Sequence, residues 1–257
     1  MYRIRPGVFA LYEPKQFEEA ISYLILGDKR AVLFDTGLGV GHIGAVVARL
    51  TSLPVTVINS HTHFDHVGGN AEFSDVWNED LPYTRGNMTG QANAYSRDAL
   101  APERLCGKLP AGIDPAKFAV RSWKSTHTLR DGEQIDLGRR TVEVLFAPGH
   151  TPDSLVLLDH ANGLLFTGDL FYRGPIYLIV PETDLEAYGR SVARLAVLEP
   201  SLKLLLPGHN IAVAEPAFLS RLAAAVEKVK RGEAKAQVTS DGREYAFDGF
   251  SLLLSGK

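Results

Sequence analysis

A single cysteine, Cys106, stands in 257 residues, so no internal disulfide framework and no cysteine-rich structural zinc site can form. Its thiol is expected to be a small, partly buried group rather than a nucleophile. Charge of one sign is also scarce: 27 basic against 30 acidic residues leave a formal net charge of -3. Neither the basic excess of a nucleic-acid binder nor an acidic docking tail is present. No apolar run approaches the roughly 18 residues of a membrane span, and Met1 to Pro14 lacks the apolar stretch of a signal peptide. These absences predict a cytoplasmic protein handling a small molecule, with no nucleic-acid or membrane partner. Oligomeric state has no signature in the chain. A Gly-x-Ser-x-Gly elbow is missing too, so nothing points to a serine nucleophile.

With 45% hydrophobic and 22% charged residues, the chain has ordinary globular composition and enough length for one large core, so residues 1–257 are expected to form a single domain. Short strands are predicted at Ile4 to Phe9, Ser22 to Leu26 and Ala31 to Phe34. Helical spacing of Ile43, Val46, Val47 and Leu50 follows, then the continuous apolar run Val55 to Ile58 of a fully buried strand. Residues 73–127 scatter Trp77, Tyr83, Met88, Tyr95 and Trp123 among Gly, Pro and charged residues, which predicts a loop-rich excursion and a substrate cap. Strand character returns at Thr141 to Phe146, Leu155 to Leu158 and Leu164 to Phe166. Amphipathic helices at Leu185 to Leu198 and Pro216 to Val229 enclose a strand at Lys203 to Leu206, and Gln237 to Leu254 reads as a strand pair. Strands closed by a helix in each half suggest two packed sheets flanked by helices.

Seven side chains of metal-binding type fall where these strands end. His61, His63, Asp65 and His66 follow Val55 to Ile58; His150 follows Pro148-Gly149; Asp169 follows Thr167-Gly168; His209 follows Pro207-Gly208. Imidazole and carboxylate are the donors of catalytic zinc sites, which keep a coordination position open. Glycine before each of the last three ligands lets backbone approach an ion closely. His42, His127 and His160 have no such setting and are expected to be ordinary hydrogen-bonded residues.

His-x-His-x-Asp-His followed by Gly-Gly, then Gly-His-Thr-Pro, Thr-Gly-Asp and Pro-Gly-His in that order, resembles the metallo-β-lactamase superfamily. The resemblance spans about residues 22–210 and implies an α/β (α+β) fold, the four-layer αββα sandwich. It implies that His61, His63 and His150 hold one metal ion, that Asp65, His66 and His209 hold a second, and that Asp169 bridges them. Asp35, in Phe34-Asp35-Thr36-Gly37, matches the family's aspartate behind the ligands. Turn capping is the other reading of that residue.

Two divalent cations, zinc foremost, with iron, manganese and cobalt accepted by the same donors, would provide hydroxide near neutral pH and polarise a carbonyl. Binuclear hydrolysis of an ester-type bond by a bridging hydroxide is thus the expected chemistry, with Asp65 assisting proton transfer. Asp169 argues against a dedicated β-lactamase, whose best-known class lacks that carboxylate. The string from Ser60 to Asn70, and Tyr172 three residues after Asp169, look particularly like acyl-homoserine lactonases, in which that tyrosine hydrogen-bonds the reacting carbonyl. A packing aromatic is the equal alternative for Tyr172. Lactone or simple ester is therefore the first expectation. A thioester of the glyoxalase II type is second, weakened because only one helix and a strand pair are expected after Asn210. A phosphodiester is third, and single-iron persulfide oxidation is disfavoured by Asp65, His66 and His209.

Overall fold

The computed structural model describes residues 1–13, 19–90, 98–105 and 107–256; Cys106 and Tyr95 lie outside them. The chain divides into two compact units, Met1–Val142 and Glu143–Lys257.

The first unit is organised by a seven-stranded sheet in sequential order. Its strands are β1 (Tyr2–Arg5), β2 (Val8–Tyr12), β3 (Ile21–Leu26), β4 (Ala31–Phe34), β5 (Val55–Ile58), β6 (Val76–Asn78) and β7 (His127–Thr128). The first four pair antiparallel in sequence order, and β4 to β7 run parallel. Parallel pairing needs crossovers, and α1 (Ile43–Ala48), α2 (Phe64–Val67) and α3 (Pro82–Asn87) occur along these connections. Leu11, Leu24, Leu33, Val57 and Val76 from the sheet pack with Val47 of α1 and with Trp123. A further strand, β8 (Gln134–Asp136), ends the unit.

Two expectations change here. The apolar stretch Ile4 to Phe9 is not one strand, because the Pro6-Gly7 turn, with Gly7 at φ 70°, splits it into β1 and β2. Proline lacks a ladder donor and glycine accepts the left-handed turn. Residues 73–127 also contribute more than loops, since Val76–Asn78 and His127–Thr128 extend the sheet at its far edge. Three residues bounded by polar ones are too few for an alternating pattern to register.

The boundary falls within β9 (Thr141–Phe146), which with β10 (Leu155–Asp159), β11 (Leu164–Gly168) and β13 (Leu204–Pro207) of the second unit stands in one sheet. The β11 and β13 pair is parallel, with Leu164 opposite Leu204 and Phe166 opposite Leu206. Between them in sequence come β12 (Gly174–Leu178) and α4 (Leu185–Ala196). Asp184 caps α4 by accepting from the Ala187 amide at 2.9 Å. Helix α5 (Phe218–Lys230) follows, and β14 (Gln237–Val238), β15 (Arg243–Phe247) and β16 (Phe250–Leu254) join β12 in a four-stranded sheet. Tyr188, Val192 and Leu195 of α4 and Leu219, Leu222 and Val226 of α5 lie at helical spacing. They bury one stripe each with Val156, Leu165 and Leu205. Among the described residues no helix is long and apolar enough to cross a membrane.

Candidate metal centre

In the first unit, β5 is buried on both faces for most of its length, and its C-terminal end delivers Asn59, Ser60 and His61 into a turn that α2 closes. His63 is the extended N-cap of α2, at φ -66° and ψ 155°, so Asp65 and His66 fall in the helical turn behind it. His61, Asp65 and His66 are buried and His63 is half-buried. The rings of His61 and His63 lie 4.5 Å apart and those of His61 and His66 4.2 Å. His61 Nε2 and His63 Nδ1 approach to 2.9 Å.

Asp35, at the end of β4, fixes this loop. One oxygen accepts from the Ser60 amide at 2.7 Å and the other faces His66 Nδ1 at 3.0 Å. Both side chains are almost wholly buried. A carboxylate on Nδ1 holds the proton there and leaves the Nε2 lone pair for a cation. That Nε2 lies 3.4 Å from Asp65 Oδ2. Two acceptors at this distance repel unless a cation or a proton is shared between them.

The second unit repeats the device. His150 Nδ1 donates to the Tyr177 carbonyl at 2.9 Å, which leaves Nε2 facing Asp169 Oδ2 at 3.6 Å. Asp169 Oδ1 lies 3.2 Å from His209 Nε2. The two carboxylate oxygens thus address different imidazoles, the arrangement a bridging ligand requires. Parallel pairing of β11 with β13 explains it, because Asp169 and His209 emerge side by side from neighbouring strand ends, tied by the Gly208 amide on the Gly168 carbonyl at 3.0 Å. Gly149 has φ 144°, and a Cβ there would lie 2.2 Å from Tyr188 Cα. Only glycine lets the turn before His150 lie on α4. His66 and His150, buried with Nδ1 engaged and Nε2 facing a carboxylate oxygen, present the donor set a divalent cation takes, so each unit carries a histidine and aspartate pair that fits a metal ligand role.

Tyr172 is buried, with its ring edge-on to that of His209 at a centroid distance of 5.1 Å. Its phenol oxygen accepts from the Tyr177 amide at 3.0 Å, which leaves its own proton to donate. Burial, and then the charge of Asp169, raise its pKa well above the ordinary tyrosine value, so the hydroxyl stays protonated. His42, His127 and His160 are all exposed. His127 pairs with Glu133 at 2.6 Å and His160 with Glu143, in keeping with the ordinary roles expected of them.

Several supporting residues were not singled out from sequence. Asn59 donates to the His66 carbonyl at 2.9 Å and exchanges hydrogen bonds with Asn70. The Thr36 amide donates to the same carbonyl at 2.9 Å, and Thr36 Oγ1 donates to Asn70. Asn87, at the end of α3, donates to Thr62 between the two histidines at 2.9 Å. Glu13 accepts the Leu38 and Gly41 amides at 2.6 Å each, pinning the loop whose Gly37 carbonyl receives the Gly68 amide. Asn59 and Asn70 flank the ligand motif and are legible by adjacency; Glu13 and Asn87 are remote in sequence and carry no local signal.

The sequence profile of the metallo-beta-lactamase superfamily matches residues 20–209, and the chain belongs to that superfamily. The αββα fold class expected from the motifs is borne out by this match. A crystal structure of a metallo-beta-lactamase family protein from Thermus thermophilus agrees with it, at a TM-score of 0.66 and 21% identity, covering 90% of this chain and 82% of that one. The acyl-coenzyme A thioesterase MBLAC2 of Bos taurus is 28% identical over 220 residues, 79% of this chain and 78% of its own. The hydroxyacylglutathione hydrolase GloC of Haemophilus influenzae is 24% identical over 209 residues, covering 76% and 86%. With its clustered histidines and aspartates, the chain is a metal-dependent hydrolase of this superfamily.

Proposed function

We propose that the protein hydrolyses an acyl thioester at a binuclear zinc centre, and that residues 1–257 act as one catalytic domain. Histidine and aspartate side chains grouped as candidate ion ligands support this reading. In the proposed assignment His61, His63 and His150 would hold one ion, Asp65, His66 and His209 would hold the other, and Asp169 would be shared by both. Neutral imidazole and carboxylate without sulfur suit zinc, and the same donors take iron, manganese or cobalt.

Such ions supply Lewis acidity at the carbonyl and lower the pKa of water towards neutrality. The protein's own groups do the rest. Tyr172 donates its hydroxyl proton to the oxygen of the reacting carbonyl, where negative charge develops. Asp65 takes the proton released from water and passes it on. Water adds to the carbonyl carbon, the carbon–sulfur bond breaks, and a carboxylic acid and a thiol result. Residues 73–127 serve as the substrate cap, a role supported by the Asn87 to Thr62 hydrogen bond that ties the segment to the ligand loop. A cytoplasmic setting and a small-molecule substrate complete the proposal and rest on composition.

One observation carries the choice of thioester: relatives aligned over three quarters of this chain are named for acyl-coenzyme A and hydroxyacylglutathione hydrolysis. A second reading, lactone or carboxylic ester, is favoured by the Ser60 to Asn70 motif together with Tyr172. Initial rates of the zinc-loaded protein on one acyl group, presented in turn as coenzyme A thioester, glutathione thioester, aryl ester and homoserine lactone, separate them. Higher kcat/KM on a thioester supports the first reading; preference for the lactone or ester replaces it with the second and leaves the metal ligands untouched.

A further inference from the structure

Next to the turns that carry Asp169 and His209 lies an arginine whose charge has no acidic partner among the described residues. Arg173 is exposed, and among the described residues its guanidinium makes no hydrogen bond or ion pair. Its backbone, however, is fixed. The Arg173 carbonyl accepts from Asn210 Nδ2 at 2.6 Å, one residue beyond His209, and Tyr172 before it packs on the His209 ring.

The guanidinium also has a shaped seat. It lies over the ring of Phe218, 5.6 Å from the centroid, and a Cβ on Gly249 would come within 3.0 Å of that ring and 3.3 Å of Arg173 Nη2. Glycine at 249 therefore makes the room that the guanidinium fills. Arg221 approaches the same ring at 4.5 Å and engages both the carbonyl and the carboxylate of Asp248, the latter at 2.6 Å. Two guanidinium groups thus share one aromatic ring, and the carboxylate beside them is already held by one. Stacking orients the plane of an arginine and leaves its outward donors for an anion.

We infer that Arg173 binds the anionic end of the thiol carrier of the substrate. The inference rests on the thioester reading, which supplies the reason for such a site. Coenzyme A carries phosphates and glutathione carries carboxylates, both remote from the sulfur. A planar fork matches either oxyanion in a bidentate pair. An arginine held beside the ligand turns would bind the carrier and leave the acyl carbon to the metal ligands, so its effect belongs in KM and not in kcat.

The test compares the metal-loaded protein with Arg173→Ala and Arg173→Lys on one acyl group carried by coenzyme A, by glutathione and by uncharged N-acetylcysteamine. Arg173→Ala should lower the ratio of kcat/KM for a charged carrier to that for N-acetylcysteamine by about tenfold, the order of one charge-assisted hydrogen bond. Arg173→Lys should recover part of the loss, and rising salt should shrink the difference. A loss confined to coenzyme A assigns the anion as phosphate; one confined to glutathione assigns it as carboxylate. Calorimetric titration with free coenzyme A and free glutathione should show the same weakening without turnover. Unchanged ratios and unchanged binding, with N-acetylcysteamine thioester still hydrolysed, overturn the role of Arg173 alone. If no thioester is hydrolysed, N-acetylcysteamine included, the thioester reading falls and takes this inference with it.

Discussion

Replacing Asp35 with Asn isolates the contribution of a single oxygen behind the ligands. The left-handed backbone at Asp35, φ 65°, is one that Asn also adopts, so the substitution should leave the turn in place. The carboxylate accepts from the Ser60 amide at 2.7 Å and from His66 Nδ1 at 3.0 Å. An amide has one oxygen for these two donors. If it serves Ser60, its NH2 group faces the Nδ1 proton of His66, and the ring must turn or move its proton to Nε2, where that proton blocks a ligand position. If it serves His66, two N–H groups meet at Ser60. Either way one charge-assisted hydrogen bond in a buried setting is lost, costing about 1.5 to 3 kcal/mol in the metal-free protein. Affinity for the ion that His66 is proposed to hold should fall about 10- to 100-fold. Competition against a chromophoric chelator reads the affinity, and urea denaturation after metal removal reads the stability. Lower stability with unchanged affinity for both ions would refute the reasoning, since Asp35 would then hold the chain and not the ligand.

Four further outcomes follow from the same geometry. Asp169→Ala removes the group that addresses both His150 and His209; bound metal measured by plasma mass spectrometry should drop below two per chain and turnover should fall by at least about 100-fold. Tyr172→Phe leaves the Tyr177 amide without its phenol acceptor, a cost of about 1 kcal/mol in denaturation, and should lower kcat more than it raises KM. An unaltered kcat would make Tyr172 a packing residue. Gly68→Ala would place a Cβ 1.9 Å from the Leu38 carbonyl oxygen; with backbone on both sides, the strain should cost at least about 3 kcal/mol, read as an early denaturation midpoint. Glu13 is held above the ordinary carboxylate value of 4.5, chiefly by burial and against the pull of the loop amides. The folded state then binds a proton more tightly than the unfolded chain, so stability falls as pH rises from 4.5 through the raised folded value. In Glu13→Gln the melting temperature should lose that part of its pH dependence.

The parts of this protein legible from sequence are those in which one local pattern decides the outcome. Val55 to Ile58 and Leu164 to Phe166 are apolar runs that can only be buried. The helical stripes of 185–198 and 216–229 are observed as Leu185–Ala196 and Phe218–Lys230, within the fraying expected of helix ends. His150, Asp169 and His209 each follow a glycine, a local signal on which their proposed ligand role rests. What escaped depends on partners far along the chain. Strand β12, Gly174–Leu178, alternates exposed and buried residues and is a strand because it pairs with Phe250–Leu254. Val76–Asn78 owes its strand character to Val57 and Ile58. Asn87 and Glu13 reach their partners across 25 residues and more, and no window of sequence contains both ends of such a bond. Substrate preference belongs to that second kind of information, which is why the motifs indicate lactone while the relatives favour thioester.

A metal titration of thioester hydrolysis bears most directly on the central proposal. Metal-free protein would receive zinc in increments while the initial rate on a coenzyme A thioester is followed and bound metal is counted. The rate is expected to keep rising until two equivalents per chain are bound, and Asp169→Ala should bind fewer. A thioesterase rate already maximal at one equivalent, with no further gain from the second, would contradict the binuclear mechanism.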